Sequence, residues 1–514
     1  MKREIIAAID MGSHAIRMKI AEVDKSGKFR ELESFKKMVT IGHDTFTMGR
    51  VGIQSVDQIC SILELFKKSL AEYQVERYGA YATSAFREAA NRDYIIDQIR
   101  LRTGIQVEIL DYAREQSLTH NAIKNTLPDY GMLIREGAVI VVIGAGNIQV
   151  TCYKEGVLES SQNLKVGVLR IRETFENLED VELRYNEILD EYITTNLECV
   201  EFFRQTKVYR HLIALGGEMN VVKQIVCSEI PGGDDKLHKS DFEAFYREVY
   251  DSPRERLEER FDIQREQAEL LLPTMILFKK FLDNIQEDKI HIPLASLTDG
   301  ILNILYEERF LVYRNEAMAL DILASARVLG ERFQYNRIHA EMVERNALLI
   351  FERTKTLHGL KKERLLLRVA CILHDIGKFL SLNQHSLNSY QMIKSLEVFG
   401  LSKREMLLVA NITRYHSGYR PLHRDESFFS LTQGERVLVA KLVAVLKLAD
   451  ALDKSHKQKI LLDSVKLRGK ELVIKGHVKA TVNTTLEEWT FQKKADFFIE
   501  VFGIQPILKI SKEL

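Results

Sequence analysis

The 514-residue chain carries 73 Lys and Arg against 73 Asp and Glu, so its formal net charge is zero. That balance excludes a global nucleic-acid or membrane-surface footprint and leaves any anionic ligand to be met by local groups. With 46% hydrophobic and 28% charged residues it has the composition of a globular protein too long for one core, so several domains are expected.

Residues 1–125 alternate strand and helix signals. Ile5–Ile9 and Met18–Val23 are predicted strands around a Gly-Ser turn, Val56–Tyr73 is an amphipathic helix, and Tyr78–Thr83 and Ile105–Leu110 are further strands. The short apolar run before Asp10 reads as a first strand and not as a signal peptide. No segment approaches the roughly 18 uncharged apolar residues of a membrane span. The five cysteines, Cys60, Cys152, Cys199, Cys227 and Cys371, are scattered without a CxxC pair, which points to a reducing compartment and a cytoplasmic protein.

A second α/β unit opens at Ala138–Ile143, a β-branched run suited to a buried strand. It continues through strands Gln149–Tyr153 and Val157–Ser161, a helix over 178–205, and the strand His211–Leu215, which ends in Gly216-Gly217. The charged stretch 228–262 reads as a solvated loop leading into a surface helix. Two units that each begin strand, glycine turn, strand suggest duplicated halves closing over a ligand.

From about residue 315 apolar stripes of helical period follow one another over 318–333, 338–357, 361–378, 386–399, 403–416 and 433–453. The last segment returns to strands at Leu472–Ile474, Ala480–Val482 and Ile507–Ile510. The expected domains are therefore 1–125, 126–312, 313–460 and 461–514, the third all-helical and the last a small α+β unit.

Two groups of residues carry chemistry. Asp10-Met-Gly12-Ser13-His14-Ala-Ile-Arg17 places a glycine turn between two strands, where exposed backbone N–H groups and Arg17 would cradle an anion. Ala82-Thr-Ser-Ala-Phe-Arg87, Ile143-Gly144-Ala-Gly146-Asn147 and Leu215-Gly216-Gly217-Glu218 add an arginine and two more glycine turns. The second group centres on His374-Asp375, an adjacent pair on an apolar segment. Burying an unpaired carboxylate costs several kcal/mol, so Asp375 needs a cation. His339, His385, His416 and Asp450 lie in the same helical region and complete a ligand set suited to Mn, Fe, Mg or Zn. Gly377 is expected to end the helix and leave the pair at its mouth, while His358, His423 and His456 read as ordinary core or surface histidines.

The order DxGSxxxR, ATSAxRxAxN, IGxG and GG resembles the exopolyphosphatase/guanosine-pentaphosphatase (Ppx/GppA) family across essentially the whole chain. That resemblance implies two actin-like, ribonuclease H-like lobes, then a helical HD-type domain and a small C-terminal α+β domain. Asp10, Gly12, Ser13, Arg17, Arg87 and Asn91 match the family's phosphate turns, with His14 in place of an asparagine. Glu115 matches the family's catalytic glutamate, although the glycine and acidic neighbour around it are missing. Where the family's second turn carries two cation-binding carboxylates, this chain has Val142 and Gln149. A hydrocarbon cannot bind a cation and a neutral amide is a weak ligand for a hard one. The cleft is therefore expected to bind phosphate better than it cleaves it.

The pattern His339, His374-Asp375, His385, His416, Asp450 is similar to the dinuclear members of the HD phosphohydrolase superfamily, which implies that Asp375 bridges two metals and that Lys378 contacts a phosphate. Such a site would clamp a phosphoryl group and activate a water. The resemblance implies a metal-dependent phosphohydrolase of polyphosphate, pppGpp or a related nucleotide, with Asp375 and Glu115 the candidate catalytic groups. A polyphosphate or nucleotide would dock through Asp10, Gly12, Ser13, His14, Arg17, Arg87, Gly144, Gly146, Asn147, Gly216 and Gly217. An inactive polyphosphate- or alarmone-binding regulator is the alternative. A homodimer is the default assembly, with no membrane or nucleic-acid partner indicated.

Overall fold

Glu4–Met11 (β1) is almost wholly buried because it runs in the middle of a sheet and covers apolar layers on both faces. Around it lie Ala15–Val23 (β2), Phe29–Met38 (β3), Arg77–Ala82 (β4) and Glu108–Ile109 (β5), in the order β3-β2-β1-β4-β5. β1 pairs antiparallel with β2 and parallel with β4. The computed structural model describes residues 4–179, 184–204, 209–229, 237–310, 316–361, 363–418 and 425–513, so His423 and the stretch 230–236 lie outside the described residues.

A second sheet repeats the plan. Ala138–Ile143 (β6), Ile148–Lys154 (β7), Val157–Leu164 (β8), His211–Leu215 (β9), Leu237–His238 (β10) and Lys289–His291 (β11) are ordered β10-β11-β9-β6-β7-β8. Here too the first strand pairs antiparallel with its successor and parallel with the strand that returns after a helical crossover. The duplication extends to register. Asp10 faces Arg17 across β1 and β2, and Val142 faces Gln149 across β6 and β7. Both intervening turns close alike, Gly12 N donating to Ala15 O at 3.0 Å and Gly144 N to Asn147 O at 2.9 Å.

Helices cover these sheets through stripes of helical period. Ile53–Glu72 buries Val56, Ile59, Cys60, Leu63, Phe66 and Leu70 against the first sheet. Leu297–Phe310 packs back on the other face of that sheet, joining Ile301, Leu302 and Leu305 to Ile6, Ala8 and Leu118. Of the helix expected over 178–205, the described helical residues lie in Val168–Glu179, Tyr185–Leu197 and Glu201–Arg204, while 180–183 and 205 lie outside the described residues. In the stretch 228–262, expected as a loop leading into a surface helix, the helices Lys239–Asp251 and Arg254–Phe261 form.

The chain divides into two compact units, residues 1–316 and 317–514. In the second unit the expected helices form, with principal members Arg337–Arg353, Arg364–Leu373, His385–Ser395, Lys403–Arg414 and Gln433–Ala451. Leu461–Arg468 (β12), Glu471–Lys479 (β13) and Gln505–Glu513 (β14) make a three-stranded sheet. The strand expected at Ala480–Val482 is instead a turn, closed by Val482 N donating to Lys479 O. The parallel strands β13 and β14 are joined by the helix Thr485–Phe502, as a parallel pair requires a crossover. That helix carries Lys494 to Asp450 on Gln433–Ala451.

Candidate functional site

In the first unit, the two glycine turns face each other across a cleft of about 450 Å³. Asp10, Gly12, Ser13, His14, Arg17 and Glu115 line it from one lobe, and Gly144, Asn147, Gly216 and Gly217 from the other. Ser13 locks its turn in place, its Oγ lying 2.9 Å from Ser84 Oγ and accepting from Ala85 N. A side chain at Gly216 would meet Ile143 O at 2.7 Å, so only glycine lets the end of β9 approach the β6 turn.

Two of the expected cleft residues are not on its wall. Gly146 packs under the ring of Phe46 and the hydroxyl of Ser84. Arg87 is buried, with Nη1 donating to Leu110 O at 2.6 Å and to Glu115 Oε2 at 2.9 Å, and its guanidinium 3.7 Å above the Tyr112 ring. It positions Glu115. Asn91 likewise holds the chain, exchanging hydrogen bonds with the backbone of Val51.

Burial pushes the Asp10 carboxyl up to about 6 despite Arg17 at 3.5 Å. Burial, reinforced by Lys36, Arg172 and Arg17, lowers His14 to about 4 and keeps it neutral at pH 7. Burial also raises Glu218. Val142 reaches the cleft from the position that corresponds to Asp10 and brings no charge to it. Among the described residues, no group of three metal-ligating atoms gathers in this cleft.

The second unit does gather them. Asn336 caps the helix that begins with Arg337, accepting from His339 N and so fixing His339 in the first turn. His374 caps the C-terminus of the helix Arg364–Leu373, and Asp375 caps the start of the 3-10 turn Ile376–Phe379. The helix thus stops before Gly377. That glycine instead permits a close approach, since a side chain there would stand 2.1 Å from His385 O and 2.3 Å from Ser389 N. Ser389 Oγ accepts from Gly377 N and donates to His374 O, tying the HD turn to the helix that carries His385.

The imidazoles are oriented from behind. Nδ1 of His374 donates to Cys371 O at 2.8 Å, that of His416 to Thr413 O at 2.6 Å, and that of His385 to Leu382 O at 3.3 Å. A carbonyl only accepts, so these three rings carry their proton on Nδ1 and turn the Nε2 lone pair inward. His339 Nδ1 lies 2.8 Å from Asp453 Oδ2, a carboxylate-histidine pair of the kind that orients metal ligands.

The inward atoms form two sets that share Asp375. His339 Nε2 is 3.3 Å from His374 Nε2 and 3.4 Å from Asp450 Oδ1, and Asp375 Oδ2 is 3.5 Å from His374 Nε2. On the other side, Asp375 Oδ1 is 3.6 Å from His385 Nε2 and 3.5 Å from His416 Nε2. Imidazoles and carboxylates in this number suit divalent Mn, Fe or Zn. One ligand atom from each member falls within 4.8 Å of the others in the groups His339-His374-Asp450, His374-Asp375-His416 and His339-Asp375-His456, whereas His385 belongs to none of these.

Burial drives His374 down to about 3, so its lone pair is available. Burial opposes charge on His339 as well, but Asp450 and Asp453 beside it raise it to about 9. Asp375 and Asp450 are buried, yet neighbouring histidines and lysines hold both well below the ordinary carboxylate range. Two anionic carboxylates in one buried pocket call for cationic charge between them.

Three residues of this site were not among the expected ligands. Asp453 shares the face of Asp450, which its i+3 spacing made legible. His456, expected to be an ordinary histidine, stacks on His339 with ring centroids 3.6 Å apart. Lys494 comes from the helix Thr485–Phe502, for which no sequence signal had been read. Lys378, the expected phosphate contact, is half-buried and pairs with Asp375 Oδ2. His358 is buried and bonds Phe351 O.

The profile of the Ppx/GppA phosphatase family matches residues 20–308. The chain belongs to the Ppx/GppA phosphatase family. Residues 323–494 match the family's domain III, so the helical unit is part of the family's architecture. The chain is 22% identical over 316 residues to a bifunctional 3-dehydroquinate synthase/phosphatase of Fusobacterium nucleatum, covering 59% of this chain and 46% of that protein. It is 23% identical over 167 residues to exopolyphosphatase 1 of Mycobacterium tuberculosis, covering 32% of this chain and 47% of that one. The chain thus spans about half the length of these curated relatives. An exopolyphosphatase structure from Cytophaga hutchinsonii superposes with a TM-score of 0.54 at 21% identity, over 59% of this chain and 98% of that one. The Aquifex aeolicus Ppx/GppA protein gives 0.50 at 21%, over 61% and 100%. These likenesses establish the actin-like fold of the first unit. Divalent metals are general among phosphatases of this family.

Proposed function

We propose that this Ppx/GppA protein is a phosphohydrolase of phosphoanhydride substrates whose catalytic centre is the metal site of the helical unit, an HD-type site. Inorganic polyphosphate, pppGpp or a related nucleotide is the substrate class. The observation that carries this reading is the division of Asp375, whose two oxygens face two separate sets of imidazole Nε2 atoms.

Two divalent ions in those sets would neutralise charge on a phosphoryl group and acidify a water. His339, His374, Asp450 and Asp375 would hold the first, and Asp375, His385 and His416 the second. Asp453 keeps His339 turned toward Asp450. Lys378 is the accessible cation beside Asp375 and is placed to take a phosphate oxygen. The actin-like cleft would bind the anion through its glycine turns and Arg17. Its Val142 and Gln149 supply no carboxylate for a cation, and Glu115 is engaged by Arg87.

The same lack of carboxylates favours a second reading, a regulator that binds polyphosphate or an alarmone without turnover. Phosphate release by the wild type, His374→Ala and Glu115→Gln separates the possibilities. Release lost in His374→Ala alone supports the helical site, release lost in Glu115→Gln alone assigns catalysis to the cleft, and tight binding with no release supports the regulator.

A further inference from the structure

The first unit holds another convergence of metal-ligating side chains, away from the glycine turns. His211 opens β9, whereas the cleft is lined from that strand's other end at Leu215 and Gly216. His211 Nδ1 lies 2.6 Å from Glu287 Oε2, and His291 Nε2 lies 3.0 Å from the same oxygen. These three ligand atoms all fall within 4.8 Å of one another. The two imidazoles are buried, His211 at 2% exposure and His291 at 7%, while the Glu287 side chain keeps 29%.

The far side of His211 is also held. Its Nε2 lies 3.1 Å from Glu136 Oε2, and Glu136 is in turn anchored by Arg210 at 2.8 Å. A carboxylate on one imidazole nitrogen fixes the proton there and directs the other lone pair to a cation. Glu136 on Nε2 leaves Nδ1 as the ring atom that faces Glu287 Oε2. His291 Nε2 converges on the same oxygen, so one carboxylate oxygen is approached by two imidazoles.

The backbone makes this arrangement rigid. β9 and β11 are parallel neighbours, with His291 opposite Ile213. Glu287 N donates to Arg210 O, and His211 N and Arg210 N both donate to Gly137 O. Three segments distant in sequence are thereby pinned with their side chains converging.

We propose that His211 Nδ1, His291 Nε2 and Glu287 bind a divalent transition cation of the zinc type, with Glu136 as the positioning residue and a fourth position open to solvent beside Glu287. Two imidazoles and one carboxylate are a common donor set for zinc when three protein ligands leave one position open. Ligand atoms around a tetrahedral zinc stand about 3.4 Å apart, given bonds of roughly 2.0–2.1 Å. The observed 2.6 and 3.0 Å separations need to open by roughly 0.8 and 0.4 Å to reach that spacing. The partly exposed Glu287 side chain can supply that by rotation. Bound there, the cation staples the β9 and β11 edge of the second lobe. The inference is independent of the catalytic reading of the helical unit.

The test uses the full chain carrying His374→Ala and Asp375→Ala, so that the helical site does not contribute. Titration with Co2+ is expected to give the visible absorption of a four-coordinate ion at one equivalent, and Zn2+ is expected to raise Tm. Adding His291→Ala should abolish both, and Glu136→Gln should weaken Co2+ binding about 10-fold or more. His291→Gln guards against misfolding, since its amide keeps a hydrogen bond to Glu287 but is a poor zinc ligand. Co2+ absorption and a Zn2+ response that persist unchanged in both His291 variants would overturn the proposal. So would their absence from the parent.

Discussion

Asp375 turns Oδ1 toward His416 Nε2 at 3.5 Å and leaves Oδ2 to His374 at the same distance. One carboxylate thus serves two sets of nitrogens, and neither set is complete without it. Asp375→Ala is therefore expected to lose both ions, whereas His385→Ala should lose one and keep the other. Metal counts per chain in the two variants check this. Equal losses would show that the two sets do not act as separate sites.

Asp453 meets His339 at Nδ1, the ring atom opposite the inward Nε2. Asp453→Asn is expected to lower metal affinity about 10- to 100-fold, the usual cost of removing a carboxylate behind a ligating histidine. Metal affinity measured by competition with a chelator is the readout, with circular dichroism to show that the fold persists. A purely structural Asp453 would lower Tm and leave affinity alone.

Gly377 has no room for a methyl group, with His385 O and Ser389 N both closer than 2.5 Å to where it would lie. Gly377→Ala must push the helix His385–Ser395 away, at a cost of about 1–3 kcal/mol in the manner of other overpacked sites. A drop in Tm with weakened binding of one of the two ions is expected. Unchanged stability would mean that the HD turn and this helix are not held together as described.

Asp10 gives a pH signature of the cleft. Its folded value of about 6 lies above the ordinary aspartate value of 3.8, so the folded state holds the proton more tightly. Stability should then fall as pH rises from about 4 to 6, with the cost fully present above. A shift of about two units corresponds to roughly 3 kcal/mol. Asp10→Asn should raise Tm at pH 8 and make no difference below pH 4. An Asn variant destabilised at pH 8 would mean that attraction to Arg17 outweighs burial.

Glu115→Gln tests the cleft's chemical role. With the helical site catalytic, substitution is expected to alter KM and leave kcat unchanged, the mark of a docking contact. Arg87 would lose its ion pair, so Tm is measured alongside.

The sequence made the duplicated lobes legible because Ile5–Ile9 of β1 and Ala138–Ile143 of β6 are continuous apolar runs of the kind a central buried strand needs. It did not reveal β3, an edge strand whose Arg30, Glu31, Glu33, Lys36 and Lys37 break the apolar pattern, as exposed edges require. Ala480–Val482 carries strand-forming residues but has spent its pairing partners, since β13 ends at Lys479. In the helical unit, the histidines and aspartates that converge were readable as candidates from residue type and the HD adjacency. What stands behind each ligand was not. His456 lies over His339 through a left-handed turn, with φ of 57°, and Lys494 arrives along the crossover helix that parallel β13 and β14 demand. Both follow from tertiary packing, and nothing local announces them. The burial of Arg87 behind Glu115 has the same origin.

The measurement that bears most directly on the helical site is metal content set beside turnover. The purified wild type and the His374→Ala/Asp375→Ala double variant would be analysed for transition metals. Both would then be assayed for phosphate release from polyphosphate, pppGpp and dinucleoside polyphosphates. The account predicts that the wild type holds two more ions per chain than the variant and releases phosphate, and that the variant loses release along with those ions. Equal metal content in the two proteins, or phosphate release undiminished in the variant, would contradict it.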